Sequence, residues 1–185
     1  MQELPPFQIA ATARGFLTEP EMDGLIAEHG SALSAGKLGT GGTAAEVRRS
    51  QVAFLDVERY AWLYQRVWQA ALELNRRYFN VEISGITERI QLARYDGADR
   101  GFYTWHTDFA DLAPRRKISI SAQLSRPEDY EGGDLELLFR DAPHKADRSR
   151  GALIAFPSFA LHRVTPVSAG TRWSLVTWIS GPRWR

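Results

Sequence analysis

Residues 118–124, Ile-Ser-Ile-Ser-Ala-Gln-Leu, alternate strictly between apolar and polar side chains. Because successive side chains of a β-strand point to opposite faces, this pattern predicts a strand with one face against a core. Residues 86–93 alternate in the same way, and glycines and prolines separate several further short apolar segments. These further candidate strands are residues 134–139, 152–156, 163–167 and 172–179. The second half of the chain is therefore predicted to form a rolled antiparallel sandwich.

The first half of the chain is predicted to be mainly helical. Thr18 and Glu21 have the spacing of a capping box, and apolar residues follow at helical intervals to about His29. A second apolar stripe predicts a longer helix over residues 57–79, with its aromatic residues in the core. The expected fold class is α+β, with the N-terminal helices packed on one face of the sheets.

Length and composition favour one ordinary globular domain. The chain has 185 residues, a net charge of +1 and no cysteine. We expect a single domain over residues 1–185, with a helical part over 1–80 and a core of β-strands over 81–185. No apolar run approaches the roughly 20 residues of a membrane span, and the first residues do not resemble a secretion signal.

The same features give expectations about location and partners. The lack of cysteine suits a reducing compartment, so a cytoplasmic protein is expected. The near-neutral charge gives no reason to expect nucleic acid or a membrane as a partner, and the oligomeric state is left open. The basic run from Arg115 to Lys117 is interpreted as a solvated loop, with a site for an acidic partner as the alternative.

His106, Asp108 and His162 are candidate metal ligands. Side chains at positions i and i+2 of a strand share a face, so His106 and Asp108 can turn toward one centre at a strand end. His162 follows a turn-forming segment at residues 157–159 and opens a predicted strand. The alternative for His162 is a hydrogen-bonded histidine at a strand end. Two imidazoles and one carboxylate can hold a ferrous ion by one face and leave the other face open.

Arg172 and Ser174 also share a strand face. A guanidinium group and a hydroxyl group can together bind a carboxylate through charge-assisted hydrogen bonds. The alternative for Arg172 is an ordinary surface charge. The remaining histidines, His29 near a helix end and His144 in a polar loop, are interpreted as structural or solvated.

Several separate motifs follow one another along the second half of the chain. They are Arg94-Tyr95-Asp96-Gly97, His106-Thr107-Asp108, Glu131-Gly132-Gly133-Asp134-Leu135, Phe156-Pro157-Ser158, His162 to Val167, and Gly170-Thr171-Arg172-Trp173-Ser174. Their order resembles that of the iron(II)- and 2-oxoglutarate-dependent dioxygenases, and within that family the chain is most similar to the prolyl 4-hydroxylase-like group, especially the bacterial PKHD-type hydroxylases. The resemblance covers residues 86–181 and implies a double-stranded β-helix, the jelly-roll core that is shared with cupins.

The resemblance implies a role for each matching residue. His106, Asp108 and His162 match the iron ligands, and they would leave coordination sites for 2-oxoglutarate and O2. Arg172 matches the residue that pairs with the distal carboxylate of 2-oxoglutarate, and Ser174 completes the arginine-x-serine pattern. The implied cofactors are Fe(II), 2-oxoglutarate as co-substrate and O2, with ascorbate as a candidate reductant.

Two further co-substrate contacts are implied less directly. Tyr95 matches a tyrosine upstream of the first ligand, and Gln123 occupies a strand position that often faces the co-substrate. The stretch 101–105 departs from the common pattern by one extra residue and by its aromatic density, which leaves the role of Tyr95 open. Trp105 and Phe109 are candidates for the substrate wall, with core or rim packing as the alternative for each.

The resemblance implies hydroxylation of an unactivated C–H bond, coupled to oxidative decarboxylation of 2-oxoglutarate to succinate and CO2. The preferred substrate is a peptidyl or free amino-acid side chain, and a small secondary metabolite is the alternative. A different class, a cupin-type metal-binding protein without oxygenase activity, also stays open. The glycine-rich loop from Ser34 to Thr43 is interpreted as a surface loop or lid, whose closure over the site the sequence leaves open.

Overall fold

The computed structural model describes residues 9–36, 44–109 and 115–183. The helices are α1 (Glu19–His29), α2 (Ala44–Val47) and α3 (Ala61–Leu74), and a π-helical turn, Asn75–Phe79, continues α3. The strands are β1 (Ala11–Ala13), β2 (Ser34–Ala35), β3 (Arg48–Arg49), β4 (Gln51–Phe54), β5 (Gly85–Ile86), β6 (Gln91–Asp96), β7 (Phe102–His106), β8 (Arg116–Gln123), β9 (Tyr130–Gly132), β10 (Leu135–Phe139), β11 (Ala142–Lys145), β12 (Leu153–Pro157), β13 (His162–Val164) and β14 (Val167–Ser180). A short 3-10 turn, Pro127–Asp129, precedes β9.

The strands form two antiparallel sheets. The larger sheet has the order β1-β12-β8-β14-β6-β4-β2, and β5 and β9 also pair with β14. The smaller sheet has the order β11-β10-β13-β7-β3. Neighbours in space are mostly distant in sequence, so the chain passes repeatedly between the sheets. This is the rolled double sheet that the alternating patterns predict.

The segment 118–124 separates the helical layer from the space between the sheets. Ile118 and Ile120 on β8 belong to the largest apolar cluster, together with Leu25 of α1 and Leu63 and Val67 of α3. Burying each such side chain stabilises the fold by roughly 1.5–3 kcal/mol. The helices therefore cover one face of the larger sheet, as expected.

The polar side chains of the same strand point the other way. Ser119 and Ser121 line a cavity that also has lining residues from the smaller sheet, such as His106 and His162. A polar row that would be costly in a core therefore marks the wall of a site.

The N-terminal helix begins where its capping box predicts. Glu21 accepts a hydrogen bond from the backbone N–H of Thr18, with an N···O distance of 2.8 Å. The prediction of a helix over 57–79 is wrong at its start, because α3 begins at Ala61 and Val57 is exposed. The aromatic residues of this region are only partly in the core, since Tyr78 is 43% exposed.

The predicted strand over 86–93 is interrupted. Ile90 accepts a hydrogen bond from Leu55 N–H and donates its own N–H to the Tyr64 hydroxyl, which holds it against β4 and α3 rather than in a ladder. The predicted strand over 163–167 is likewise two strands, because β13 ends at Val164 and Pro166 has no N–H to donate.

The part over residues 1–80 contains more than helices, since β1 to β4 lie within it. Of the predicted loop from Ser34 to Thr43, the first residues form β2 and residues 37–43 lie outside the described residues. The interpretation of the Arg115 to Lys117 run as a solvated loop is wrong for its last two residues, which belong to β8, and Lys117 is buried. No helix of the described residues is long and apolar enough to cross a membrane.

Candidate metal and co-substrate site

The structure brings His106, Asp108 and His162 together. One ligand atom from each lies within 4.8 Å of the others. His106 Nε2 is 3.8 Å from Asp108 Oδ1, and His162 Nε2 is 3.4 Å from Asp108 Oδ2. Two ligands that are each roughly 2.1 Å from one metal ion lie about 3 to 4 Å apart, so these separations suit a shared ion. Among the described residues this is the one such cluster of potential metal ligands.

Strand pairing places the two histidines side by side. His106 ends β7 and His162 begins β13, and the two residues are directly paired in the antiparallel ladder. Their ring centroids are 4.1 Å apart. Asp108 follows β7 by two residues, and its backbone N–H donates to Ser158 O, which fixes the turn that carries the carboxylate.

Backbone carbonyls fix which imidazole nitrogen can bind a metal. The Nδ1 of His106 lies 2.8 Å from Thr104 O, and the Nδ1 of His162 lies 2.9 Å from Ala160 O. Since a carbonyl oxygen only accepts, Nδ1 carries the proton in both rings and Nε2 keeps its lone pair. Burial and the neighbouring His162 lower the pKa of His106 to about 4, so that imidazole is neutral at neutral pH.

Asp108 is held as a carboxylate. Its side chain is buried, and its Oδ2 accepts a hydrogen bond from Ser119 Oγ at 2.6 Å. Burial acts to raise the pKa of Asp108, but His162, His106 and the Ser119 hydroxyl together hold it below its ordinary value. His106 and Asp108 are therefore in the protonation state that binds a metal, and the contact between His162 Nδ1 and Ala160 O directs His162 Nε2 toward Asp108.

Arg172 lies in the same cavity and is 1% exposed. Its hydrogen bonds go to neutral acceptors, Gln123 Oε1 at 3.0 Å and Ser174 Oγ at 3.4 Å. Its buried Nε has no partner among the described residues. A buried guanidinium group with an unused donor is costly unless an anion pairs with it. The alternative of a surface charge is therefore wrong for this arginine.

The cavity between the sheets has a volume of about 160 Å³. Tyr95 contributes to its wall, and the Arg172 guanidinium carbon lies 5.4 Å from the centre of the Tyr95 ring. Gln123 is buried behind Arg172 and holds its guanidinium group. The cavity thus has the metal-ligand cluster and a buried cation in its walls.

The structure places the two substrate-wall candidates elsewhere. Trp105 lies between Thr104 and His106 on β7, where the pairing with β13 shifts by one residue between Tyr103 and His106. Because of this irregularity, Tyr103 and His106 both line the cavity and Trp105 turns to the other side. There its ring lies under the guanidinium group of Arg163, at 4.6 Å. Phe109 is 36% exposed and, like Trp105, is not among the residues that line the cavity. This exposure fits the rim alternative for Phe109, and residues 110–114, the rest of the segment before Arg115, lie outside the described residues.

Three residues that the sequence did not single out also line the cavity: Tyr103, Arg48 and Arg116. The Tyr103 ring stacks on His106 with centroids 3.5 Å apart and planes at 15°. Arg116 forms a two-point ion pair with Glu88, and its guanidinium group lies over the Trp178 ring at 3.6 Å. Arg116 was not recognised as a cavity residue, because it belongs to the basic run from Arg115 to Lys117, which was interpreted as a solvated loop.

Comparisons with known proteins show which family this chain is similar to. Residues 90–180 match the model described as the 2OG-Fe(II) oxygenase superfamily. A PKHD-type hydroxylase of a Synechococcus strain is 34% identical over 115 residues, which are 60% of this chain and 50% of that protein. A PKHD-type hydroxylase of Hyphomonas neptunium is 31% identical over 150 residues, which are 78% of this chain and 65% of that protein. The chain spans about half the length of the Synechococcus relative.

Solved structures show the same fold. A Pseudomonas putida prolyl-4-hydroxylase matches with a TM-score of 0.74 and 21% identity, over 94% of this chain and 93% of that one. A Trichoplax adhaerens prolyl hydroxylase, solved with a hypoxia inducible factor peptide fragment, matches with a TM-score of 0.79 and 21% identity, over 94% of this chain and 84% of that one. The predicted double-stranded β-helix is thereby confirmed.

The fold and the site define a jelly roll with a candidate non-haem metal centre. By its match over residues 90–180 the chain is similar to the 2OG-Fe(II) oxygenase superfamily, and the relatives described above are PKHD-type hydroxylases. That superfamily implies Fe(II) and 2-oxoglutarate, and the residues present fit both. The donor set of two imidazoles and one carboxylate suits ferrous iron, and the buried Arg172, whose Nε has no partner among the described residues, suits the distal carboxylate.

Proposed function

We propose that this protein is an iron(II)- and 2-oxoglutarate-dependent hydroxylase that acts on a peptidyl or free amino-acid side chain. The observation that carries the proposal is the buried guanidinium group of Arg172, which lines the cavity of the His106, Asp108 and His162 cluster and whose Nε has no partner among the described residues. A metal-binding cupin without oxygenase activity has no need of such a group. When bound, the iron and the co-substrate supply oxygen activation, in which one oxygen atom enters succinate and the other enters the hydroxylated C–H bond.

The residues of this chain would bind and orient the co-substrate and enclose the cavity. Arg172 stays protonated throughout the working pH range, so it contributes binding and orientation rather than proton transfer. Gln123 and Ser174 hold its guanidinium group, and we assign Tyr95 to the wall beside the co-substrate. The apolar side chains of Leu135, Phe156 and Val164 in the cavity wall would limit the access of water.

The choice of an amino-acid or peptidyl substrate rests on the relatives. The Trichoplax prolyl hydroxylase was solved with a peptide fragment, and several relatives are hydroxylases by name. A small secondary metabolite would be hydroxylated by the same chemistry. The two substrate classes differ only in the groups that the residues around the cavity have to bind. Cytoplasmic location is part of the proposal and follows from the lack of cysteine.

The test is succinate formation from 2-oxoglutarate in air, with and without added Fe(II). We expect Arg172→Gln to raise the KM for 2-oxoglutarate by about 10-fold to 100-fold, because a charged hydrogen-bonded pair is worth about 1.5–3 kcal/mol. The matched control is Arg94→Gln on the neighbouring strand β6, where the guanidinium group pairs with Asp96. Iron binding without any succinate from the native protein would favour the cupin alternative and contradict the proposal.

A further inference from the structure

Three guanidinium groups line the cavity: Arg172, Arg116 and Arg48. Arg116 is neutralised by its two-point ion pair with Glu88. Arg172 is the group that we assign to the co-substrate. Arg48 has no carboxylate within ion-pair distance in the parts of the chain that the structure describes. Its recorded contacts are a hydrogen bond from Nε to Ser50 Oγ at 2.6 Å and the face of the Tyr103 ring at 4.9 Å.

The position of Arg48 is set by sheet pairing. Strand β3 pairs with β7, and Arg48 is directly opposite Tyr103. Directly paired residues of an antiparallel ladder share a face, so both side chains belong to the inner face of the smaller sheet. Because Tyr103 stacks on His106, a single aromatic ring connects the guanidinium group to the first metal ligand. Arg48 is therefore close enough to contact a molecule whose reacting carbon lies at the metal.

The neighbouring Arg49 occupies the opposite face. It pairs with Phe102, its guanidinium group lies 5.5 Å from the centre of that ring, and it donates to Asp99 O at 2.6 Å. It does not line the cavity that holds the metal ligands. The two adjacent arginines thus provide a matched pair, one inside the site and one outside it.

Resting on the proposed function, we propose that Arg48 is a specificity-determining residue that binds a carboxylate of the substrate. The substrate class is then an anionic compound with a carboxylate a few bonds from the hydroxylated carbon. That carboxylate can belong to a free amino acid or to an acidic residue of a peptide. An uncharged compound would leave the guanidinium group beside Tyr103 without a counter-charge when it closes the cavity.

The experiment measures binding without turnover, by calorimetry under argon with Fe(II) and 2-oxoglutarate present. One arm uses N-acetyl amino acids and the corresponding N-acetyl amino-acid amides. The other arm uses short end-capped peptides that carry Asp or Glu, against the same peptides with Asn or Gln. In each arm the two series have nearly the same shape and differ in charge. The arm that binds identifies the source of the carboxylate.

We expect at least one carboxylate member to bind about tenfold or more tightly than its amide. Arg48→Gln should remove that preference, Arg48→Lys should restore part of it, and Arg49→Gln should leave it intact. A merely structural role for Arg48 would weaken acid and amide equally, so the ratio of the two affinities is the decisive readout. The same compounds are then incubated in air and examined by mass spectrometry for the gain of one oxygen.

Equal affinities for acid and amide, or a preference that survives Arg48→Gln, would overturn the inference. The same holds if no carboxylate compound binds, or if oxygen is gained by uncharged compounds alone. Failure of the proposed function has a different signature, since the native protein would then form no succinate while the carboxylate preference in binding persisted.

Discussion

At the level of single residues, the orientation of the candidate histidine ligands is fixed by hydrogen bonds to backbone groups close to them in sequence. In each candidate histidine ligand, the Nδ1–H donates a hydrogen bond to the backbone carbonyl two residues earlier. The acceptor is Thr104 O for His106 and Ala160 O for His162. The ring orientation is therefore set by local backbone geometry before any metal binds. Asp108 lacks such a local partner and depends on Ser119, which comes from the opposite sheet.

That dependence gives a prediction for Ser119. We expect Ser119→Ala to weaken Fe(II) binding by about 10-fold to 100-fold, because removing the hydrogen bond that orients a ligand typically has an effect of this size. The affinity is measured by titrating the metal-free protein with Fe(II) under argon. Ser121→Ala on the same strand face is the control, since the Ser121 hydroxyl is not hydrogen-bonded to Asp108. Equal losses in the two variants would show that Ser119 does not orient the carboxylate.

The site residues that were predicted from the sequence share one property: their spacing along the chain indicates which side chains lie on the same side of a strand. Arg172 and Ser174 could be placed on one strand face without a structure, and His106 and Asp108 could be placed at one strand end, although Asp108 lies in the turn after β7. Arg48 and Tyr103 could not, because their proximity comes from the pairing of β3 with β7, across more than fifty residues of chain. The sequence therefore predicted the candidate metal ligands and Arg172, and it did not predict that Arg48 and Tyr103 line the same cavity.

At the scale of the elements, alternation predicted strands best where one face lies on a core and the other lines the cavity. Strand β8 has that character, and its alternation marks both layers correctly. Only the end of strand β7 at His106 was predicted, and its extent was not, because its sequence, Phe-Tyr-Thr-Trp-His, has no apolar face and every one of its residues is only partly buried. Its aromatic rings instead pack under arginines on both of its faces.

The turn between β9 and β10 depends on backbone conformations that favour glycine. Gly132 has a φ of +70° and Gly133 a φ of +62°. A Cβ at Gly132 would lie 2.1 Å from Pro166 O, and one at Gly133 would lie 3.1 Å from Arg172 Cδ. The glycine pair therefore permits the close approach of β14, the strand that carries Arg172.

We expect Gly132→Ala to destabilise the protein by more than about 2 kcal/mol, because left-handed strain and a backbone clash add together. Chemical unfolding measures the loss. Gly24→Ala provides the control, since a Cβ there meets nothing within 4 Å and α1 should gain up to about 1 kcal/mol from it. If the two substitutions had similar effects, the turn would not impose the constraint described.

At the scale of the whole molecule, the fold class followed from two periodicities and the element boundaries did not. The helical stripe and the strand alternation predicted helices on one face of a rolled sheet, and the structure has them. The breaks at Ile90 and Pro166 come from tertiary hydrogen bonds and from a missing donor, which a period count cannot detect. Of the short strands within residues 1–80, β1, β3 and β4 pair with strands beyond residue 80, and β2 pairs with β4.

The two sheets contribute different groups to the candidate site. The smaller sheet carries His106 and His162, and the larger sheet carries Arg172 and the serine that holds Asp108. A functional site of this kind exists only when both sheets have closed around the cavity. The central claim is therefore that one cavity binds Fe(II) and 2-oxoglutarate together.

The most direct measurement is the visible absorption spectrum of the protein under argon as Fe(II) and 2-oxoglutarate are added. We expect a metal-to-ligand charge-transfer band that requires both additions. The band should be lost in His106→Ala and in Asp108→Ala, while His144→Ala, on the exposed strand β11, should retain it. A native protein that binds both compounds without the band, or a band that survives in either ligand variant, would show that the cavity does not bind Fe(II) and 2-oxoglutarate together through these ligands.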